Sequence, residues 1–127
     1  MPDIEGACQD VLNATEFVAI VTNGDNGPHM VGTWGDYIRR LGVRGDAIVM
    51  PAGRYRQTEE NLKRDARVTL MAASRQVQGS RSPGQGCEIA GLGEIVTDGP
   101  LAAAAKAEFP WARGALVVRV TGWKLHL

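Results

Sequence analysis

Cysteine is scarce in this chain: Cys8 and Cys87 are the two present among 127 residues, and neither sits in a CxxC pair or beside a histidine. A structural zinc needs about four such ligands and a disulfide framework needs several pairs, so two buried thiols are the expectation. An excess of charge of one sign is missing as well. The 14 basic and 14 acidic side chains cancel, which removes any strong overall field for nucleic acid or an anionic membrane surface. No apolar run approaches the roughly 18 residues of a spanning helix, and the N-terminus lacks the basic segment and apolar core of a signal peptide. The expectation is a cytoplasmic protein that engages neither nucleic acid nor membrane. With 44% hydrophobic and 22% charged residues, residues 1–127 have the make-up of one ordinary globular domain.

What is present reads mostly as strands. Ile4, Ala7, Cys8, Val11 and Leu12 fall on one face of a helix over Asp3 to Ala14, with Asp3 as its cap. The β-branched run Phe17 to Thr22 is followed by a turn, Asn23 to Pro28, and a second strand, His29 to Ile38. Leu41 to Gly45 reads as a turn and Ala47 to Met50 as a strand. Pro51 and Gly53 break the pattern before a short helix, Thr58 to Arg64, with acidic residues early and basic ones late. Val68 to Ala73 is the next strand, and Gln78 to Gly86 a Gly/Ser/Arg-rich loop. Cys87 to Thr97 resumes a strand, with Gly91 and Gly93 as sites for a bend or bulge. Pro100 opens a helix that Leu101 to Phe109 continues, Ala115 to Val120 is the last long strand, and Trp123 to Leu127 is a tail. Six strands joined by turns too short for helical crossovers predict a mainly β protein, an antiparallel barrel, closed or partly closed, with short flanking helices.

Two segments stand out chemically: Thr33-Trp34-Gly35-Asp36-Tyr37, and Pro51 to Asn61 with its Arg54, Arg56 and Thr58. On a strand, Thr33, Gly35 and Tyr37 share one face and Trp34 and Asp36 the other. Aromatic faces suit a flat ring system, while arginines ahead of a helix N-terminus suit an anion. Each feature alone is ordinarily core packing or a solvated surface. Ser74-Arg75-Gln76 offers one more cation, and Trp111 or Arg113 a cap for a planar ligand. Other chemistries find no constellation. His29 and His126 lack partners at ligand spacing, Ser74, Ser80 and Ser82 lack a nucleophile elbow, and Asp36, Asp65 and Asp98 form no acid/base pair. Gly84-Gln85-Gly86 is no dinucleotide fingerprint, because no helix follows it.

Taken together, Val18-Ala19-Ile20, Gly27-Pro28-His29, Thr33-Trp34, Thr58-Glu59, Asn61, Arg64-Asp65, Thr97-Asp98-Gly99-Pro100, Trp111-Ala112-Arg113 and Leu127 give the chain a likeness along nearly its whole length. It resembles the small bacterial FMN-binding proteins of the pyridoxamine 5'-phosphate oxidase-like split-barrel superfamily. The resemblance implies a six-stranded antiparallel split barrel, a homodimer, and one non-covalent FMN per subunit near the dimer interface. It gives the phosphate to Thr33 and Thr58, and sets the Pro51 to Gly53 backbone beside the flavin. Trp34, Tyr37 and Trp111 become the aromatic neighbours of the ring, which Leu127 of the partner chain covers. The sequence departs from the family where Gln57 replaces a lysine and Gly35-Asp36 replaces an Asn-Ser pair, which moves the phosphate cation to Arg54 or Arg56. The implied activity is electron transfer through the flavin to an unknown redox partner. A flavin reductase or pyridoxamine-phosphate-oxidase-like enzyme acting on a small substrate is the alternative, and a cofactor-free dimeric interaction module a further one.

Overall fold

Strand β1 (Phe17–Gly24) turns through Asp25-Asn26 into β2 (Gly27–Trp34), with Val18 opposite Thr33 and Gly24 opposite Gly27. Gly27 takes φ +121°, which a side chain would resist. The structure is a computed structural model and describes residues 4–127, so the Asp3 cap lies outside the described residues. Helix α1 spans Gly6–Ala14, starting later than expected so that Ile4 precedes it, and of the predicted stripe it buries Cys8, Val11 and Leu12.

The first departure from expectation follows Trp34. The chain does not continue as a strand to Ile38 but coils into helix α2 (Gly35–Leu41), so the alternating faces expected from Thr33 to Tyr37 end at Trp34. The cause is a close approach. The Gly35 amide donates to the Glu16 carbonyl at 2.8 Å, and a Cβ on Gly35 would stand 2.0 Å from the Thr15 carbonyl oxygen. Gly42, at φ +86°, closes the helix.

Two-residue β3 (Val43–Arg44), β4 (Ala47–Ala52), helix α3 (Arg56–Arg64), β5 (Arg67–Gln78), β6 (Pro83–Val96), helix α4 (Pro100–Glu108) and β7 (Gly114–Leu125) complete the chain. The expected loop from Gln78 to Gly86 shrinks to four residues. Backbone pairing runs on through Ala73 opposite Gly86 and Ser74 opposite Gln85, a stretch of mostly polar residues and glycine that apolar patterning does not mark. The expected tail likewise joins β7, Cys87 facing Leu125. The irregularity anticipated near Gly91 is present, a register shift between Ala90 and Gly91.

The strands form one antiparallel sheet of seven, in the order β2-β1-β5-β6-β7-β4-β3. The six expected strands are all there and Val43–Arg44 adds the seventh. Because β2 and β3 stand at opposite edges without pairing, the sheet is not closed. Its core lies on both faces of β4, whose six residues are all buried. Ile48 and Met50 join Ile20, Leu70, Ile89 and the α1 stripe, whereas Ala47 and Val49 meet Ala105 and Phe109 beneath α4. Alternate side chains thus serve two cores, and the alanines of α4 let it lie close.

The cysteines correct another expectation. Cys8 of α1 and Cys87 of β6 are bridged as a disulfide, Cα to Cα 5.5 Å, and both are fully buried. They are separated by 79 positions, so only the packing of α1 across the sheet brings them together.

Candidate functional site

Where β2 ends, α2 begins and β4 runs out into α3, the surface opens into a cleft of about 410 Å³. Phe17, Gly32, Thr33 and Trp34 line it from the hairpin, Tyr37 from α2, and Trp111 from the segment after α4. Pro51, Gly53, Arg54 and Tyr55 close it from the β4–α3 connection. Phe17 meets Trp34 edge to face at 6.0 Å, and Tyr37 packs at 5.7 Å from Trp111 and 4.8 Å from Phe109. Trp34 and Trp111 are nonetheless 49% and 54% exposed, so large apolar faces stand open at the mouth. The backbone is glycine where rings must lie flat on it. A Cβ on Gly32 would sit 2.1 Å from the Phe17 ring, and one on Gly53 would sit 3.0 Å from the Trp111 indole.

The β4–α3 connection is held from outside the cleft. Arg113 donates from Nε to the carbonyls of Gly53 and Arg54 at 2.9 and 3.0 Å, and from Nη2 to the Arg54 carbonyl at 2.6 Å. The same Nη2 pairs with Glu59 of α3 at 3.0 Å. Tyr55, at φ +48° and ψ +36°, then turns the chain into α3 in the left-handed region. Its hydroxyl donates to the Gly32 carbonyl at 2.6 Å, which ties the connection to β2. Burial pushes the Tyr55 phenol up, more than a hydrogen bond with the Thr33 hydroxyl pulls it down. It stays a neutral, committed donor at physiological pH.

The N-terminus of α3 carries the sharpest chemical signal. Tyr55 provides no side-chain cap, so the first amides of this nine-residue helix have no acceptor within it. Thr58, in that first turn, is fully buried, and its Oγ1 finds no hydrogen-bond partner among the described residues. A buried hydroxyl without a partner costs about 1–3 kcal/mol, so a ligand oxygen is its natural complement. Arg54 and Arg56 are exposed, and neither guanidinium has an ion-pair partner among the described residues. Free amides, an unsatisfied hydroxyl and unpaired cations mark the start of α3 as a candidate anion site.

Of the residues singled out from the sequence, Thr33, Trp34, Tyr37, Pro51, Gly53, Arg54 and Trp111 line the cleft. Gly35 lies behind it, buried against Thr15. Thr58 belongs to the anion site rather than the cleft wall. Arg56 projects from the first turn of α3, and Gln57 is turned toward its own helix, donating to Asn61 Oδ1 at 2.8 Å. Leu127 is elsewhere in its own chain, beside Met71, Ser74 and Gln85, and its amide donates to Gln85 Oε1 at 2.8 Å. Arg113 grips backbone instead of capping a ring. Phe17 and Tyr55 are cleft residues that sequence reasoning does not single out. The Arg-Tyr-Arg run after Pro-Ala-Gly was the available sign for Tyr55. Among the described residues, no cluster of three or more His, Cys, Asp or Glu is placed to hold a metal ion.

An FMN-binding protein of Nitratidesulfovibrio vulgaris is 44% identical over 117 residues, 92% of this chain and 93% of that protein. A variant of Group A Streptococcus HupZ superposes with a TM-score of 0.75 at 18% identity, covering 97% of this chain and 99% of that one. An FMN-binding protein from Syntrophomonas wolfei gives 0.65 at 16% identity, covering 93% and 82%. At such identities the two structures establish the fold alone. The family model described as pyridoxamine 5'-phosphate oxidase matches residues 4–126, and the chain belongs to that family.

Proposed function

We propose that the chain is a flavoprotein that binds FMN non-covalently and serves electron transfer. The observation that carries this reading is the buried, unpartnered Thr58 hydroxyl at the uncapped start of α3, beside a cleft walled by aromatic rings. Thr58, with Thr33, would hold the phosphate, and Arg54 at the cleft wall is better placed than Arg56 to replace the absent lysine. Trp34, Tyr37 and Trp111 would flank the ring system, with the Pro51 to Gly53 backbone beside it. The 44% identical FMN-binding protein supports the same ligand. FMN, when bound, supplies one- and two-electron chemistry.

The chain's own groups orient the cofactor and shield it from water. The cleft lining carries, among the described residues, no carboxylate, imidazole or thiol to act as acid or base. Of its two phenols, that of Tyr55 is spent on the Gly32 carbonyl, and Tyr37 packs its ring against Phe109 and Trp111. That is why electron transfer is preferred to turnover of a dedicated small substrate. The half-open tryptophans call for a second wall, which a homodimer would provide through the Leu127 of the other subunit.

The test is a titration of the purified protein with FMN and with riboflavin, followed by visible absorbance and fluorescence quenching. Saturable uptake of one FMN per chain is expected, and a protein that takes up no FMN would refute the proposal. Arg54→Ala is expected to weaken FMN by roughly tenfold or more while leaving riboflavin nearly unchanged, since a charged hydrogen bond is worth about 1.5–3 kcal/mol. Equal losses for both ligands would remove Arg54 from the phosphate site. Rapid NAD(P)H oxidation would instead favour a flavin reductase.

A further inference from the structure

The Cys8–Cys87 bridge lies away from the residues that line the cleft, yet α1 is mechanically joined to the cleft wall. Arg39 of α2 donates from Nη1 to the carbonyls of Leu12 and Thr15, at 3.0 and 2.8 Å, gripping the C-terminal end of α1. The Gly35 amide binds the Glu16 carbonyl, and the Thr15 hydroxyl donates to the carbonyls of Phe17 and Ala73, at 2.8 and 2.9 Å. Phe17 and Tyr37, both cleft residues, therefore hang on the position of α1. At the other end of α1 the bridge fastens Cys8 to β6, whose Cys87 faces Ala72 on one side and Leu125 on the other.

We propose that this bridge is a thiol-sensitive staple: its reduction loosens α1 and, through Arg39, lowers retention of the cofactor in the cleft. The inference rests on the FMN reading. A dithiol supplies two electrons and two protons, the S–S bond gives way to two thiols, and the reductant leaves as its own disulfide. Because both sulfurs are fully buried, attack requires the Cys8 end of α1 to open first. The reduced helix still buries Val11 and Leu12, so it loosens without leaving. Coupling between two sites is reciprocal at equilibrium, so a bound cofactor must shift the thiol–disulfide balance toward the intact bridge.

The experiment compares FMN affinity of the air-oxidised chain with and without dithiothreitol, with alkylation and mass measurement counting thiols in each sample. Hydrogen exchange of the α1 amides is followed alongside. Reduction is expected to weaken FMN at least about fivefold, the lower end of ordinary coupling, and to speed exchange in α1. In a buffer of reduced and oxidised dithiothreitol, added FMN should lower the fraction of chains with free thiols at equilibrium. The Cys8→Ala/Cys87→Ala variant is expected to bind as the reduced chain does and to ignore dithiothreitol. Arg39→Ala, with the bridge intact, should lose the sensitivity of FMN affinity while α1 exchange still responds. Equal FMN affinity in both states, with reduction confirmed by mass, overturns the coupling but leaves the cofactor reading standing. Failure of the oxidised chain to bind any FMN overturns both, and two free thiols in the oxidised chain remove the staple.

Discussion

With Thr58 as the proposed phosphate ligand, stability and binding separate within one side chain. Its hydroxyl is buried without a partner, so Thr58→Val, equal in shape, removes an unsatisfied polar group and nothing else. The ligand-free protein is expected to be as stable as before or about 1 kcal/mol more stable, whereas FMN affinity falls roughly tenfold. Urea unfolding and an FMN titration check the two halves, and a variant that loses stability while binding normally would make Thr58 structural. Asp65 shows the opposite economy, every lone pair being engaged. It accepts from the Arg67 guanidinium at 3.0 and 2.7 Å, from the Arg67 amide at 3.1 Å and from Asn23 at 3.0 Å. Arg67 first and Asn23 second hold its carboxyl well below the usual carboxylate range. A depressed native pKa stabilises the fold above the unfolded value, about 4, and that stabilisation drains away as pH falls below it. Asp65→Asn should therefore cost stability at neutral pH, with the difference from the parent shrinking below about pH 4. Urea midpoints at several pH values test this, and a difference that stays constant would refute it.

At the scale of elements, the β4–α3 connection depends on the planar fork of Arg113, which reaches two carbonyls and Glu59 together. Lysine keeps the charge and loses the fork. Arg113→Lys is expected to cost about 1–2 kcal/mol in chemical denaturation, and Arg113→Met more, since it strands a Glu59 side chain that is only 18% exposed. Adding Glu59→Gln to Arg113→Met should recover part of the loss, and no recovery would mean the carboxylate matters little. Most strands and three of the four helices were legible in the sequence: the strands and α1 through their apolar pattern, α3 through acidic residues early and basic ones late, and α4 through Pro100 ahead of an alanine run. Helix α2 was not. Thr33 to Tyr37 alternates well enough for a strand, and what bends the chain there is contact with Thr15, a residue no local pattern points to. Its ends were written nonetheless: Asp36 lies in the first turn, Arg39 and Arg40 in the last, and Gly42 follows. The β5–β6 ribbon escaped for the converse reason, since it is held by backbone pairing and carries mostly polar residues and glycine in place of an apolar pattern. Of the cleft lining, Thr33, Trp34, Tyr37, Pro51, Gly53, Arg54 and Trp111 were legible, whereas Phe17, Gly32 and Tyr55 were not. The Thr58 orphan, the Tyr55 turn and the disulfide each depend on packing between distant segments.

Over the whole molecule the charges cancel, so no long-range field selects a partner and association must rest on local patches. Trp34 and Trp111 leave the cleft half open, while Leu127, 62% exposed, projects near Gln85 and Met71, away from that chain's own cleft lining. If Leu127 covers a flavin, it must do so in a second copy. Isologous pairing makes that arrangement reciprocal: each subunit lends its Leu127 and borrows the other's. Thr58→Val and Leu127→Ala chains, each poor at binding FMN when pure, make this testable by mixing. In a mixed dimer with Leu127 acting across the interface, one site combines both defects and the other has neither. Equal mixing and re-equilibration should then restore tight binding at about a quarter of all sites, since about half the dimers are mixed and each has one intact site. Were Leu127 to act on its own chain's site, or the protein to remain monomeric, each site would keep one defect and mixing would restore none. Sedimentation velocity on the same samples distinguishes those two outcomes, and only the first leaves the homodimer standing.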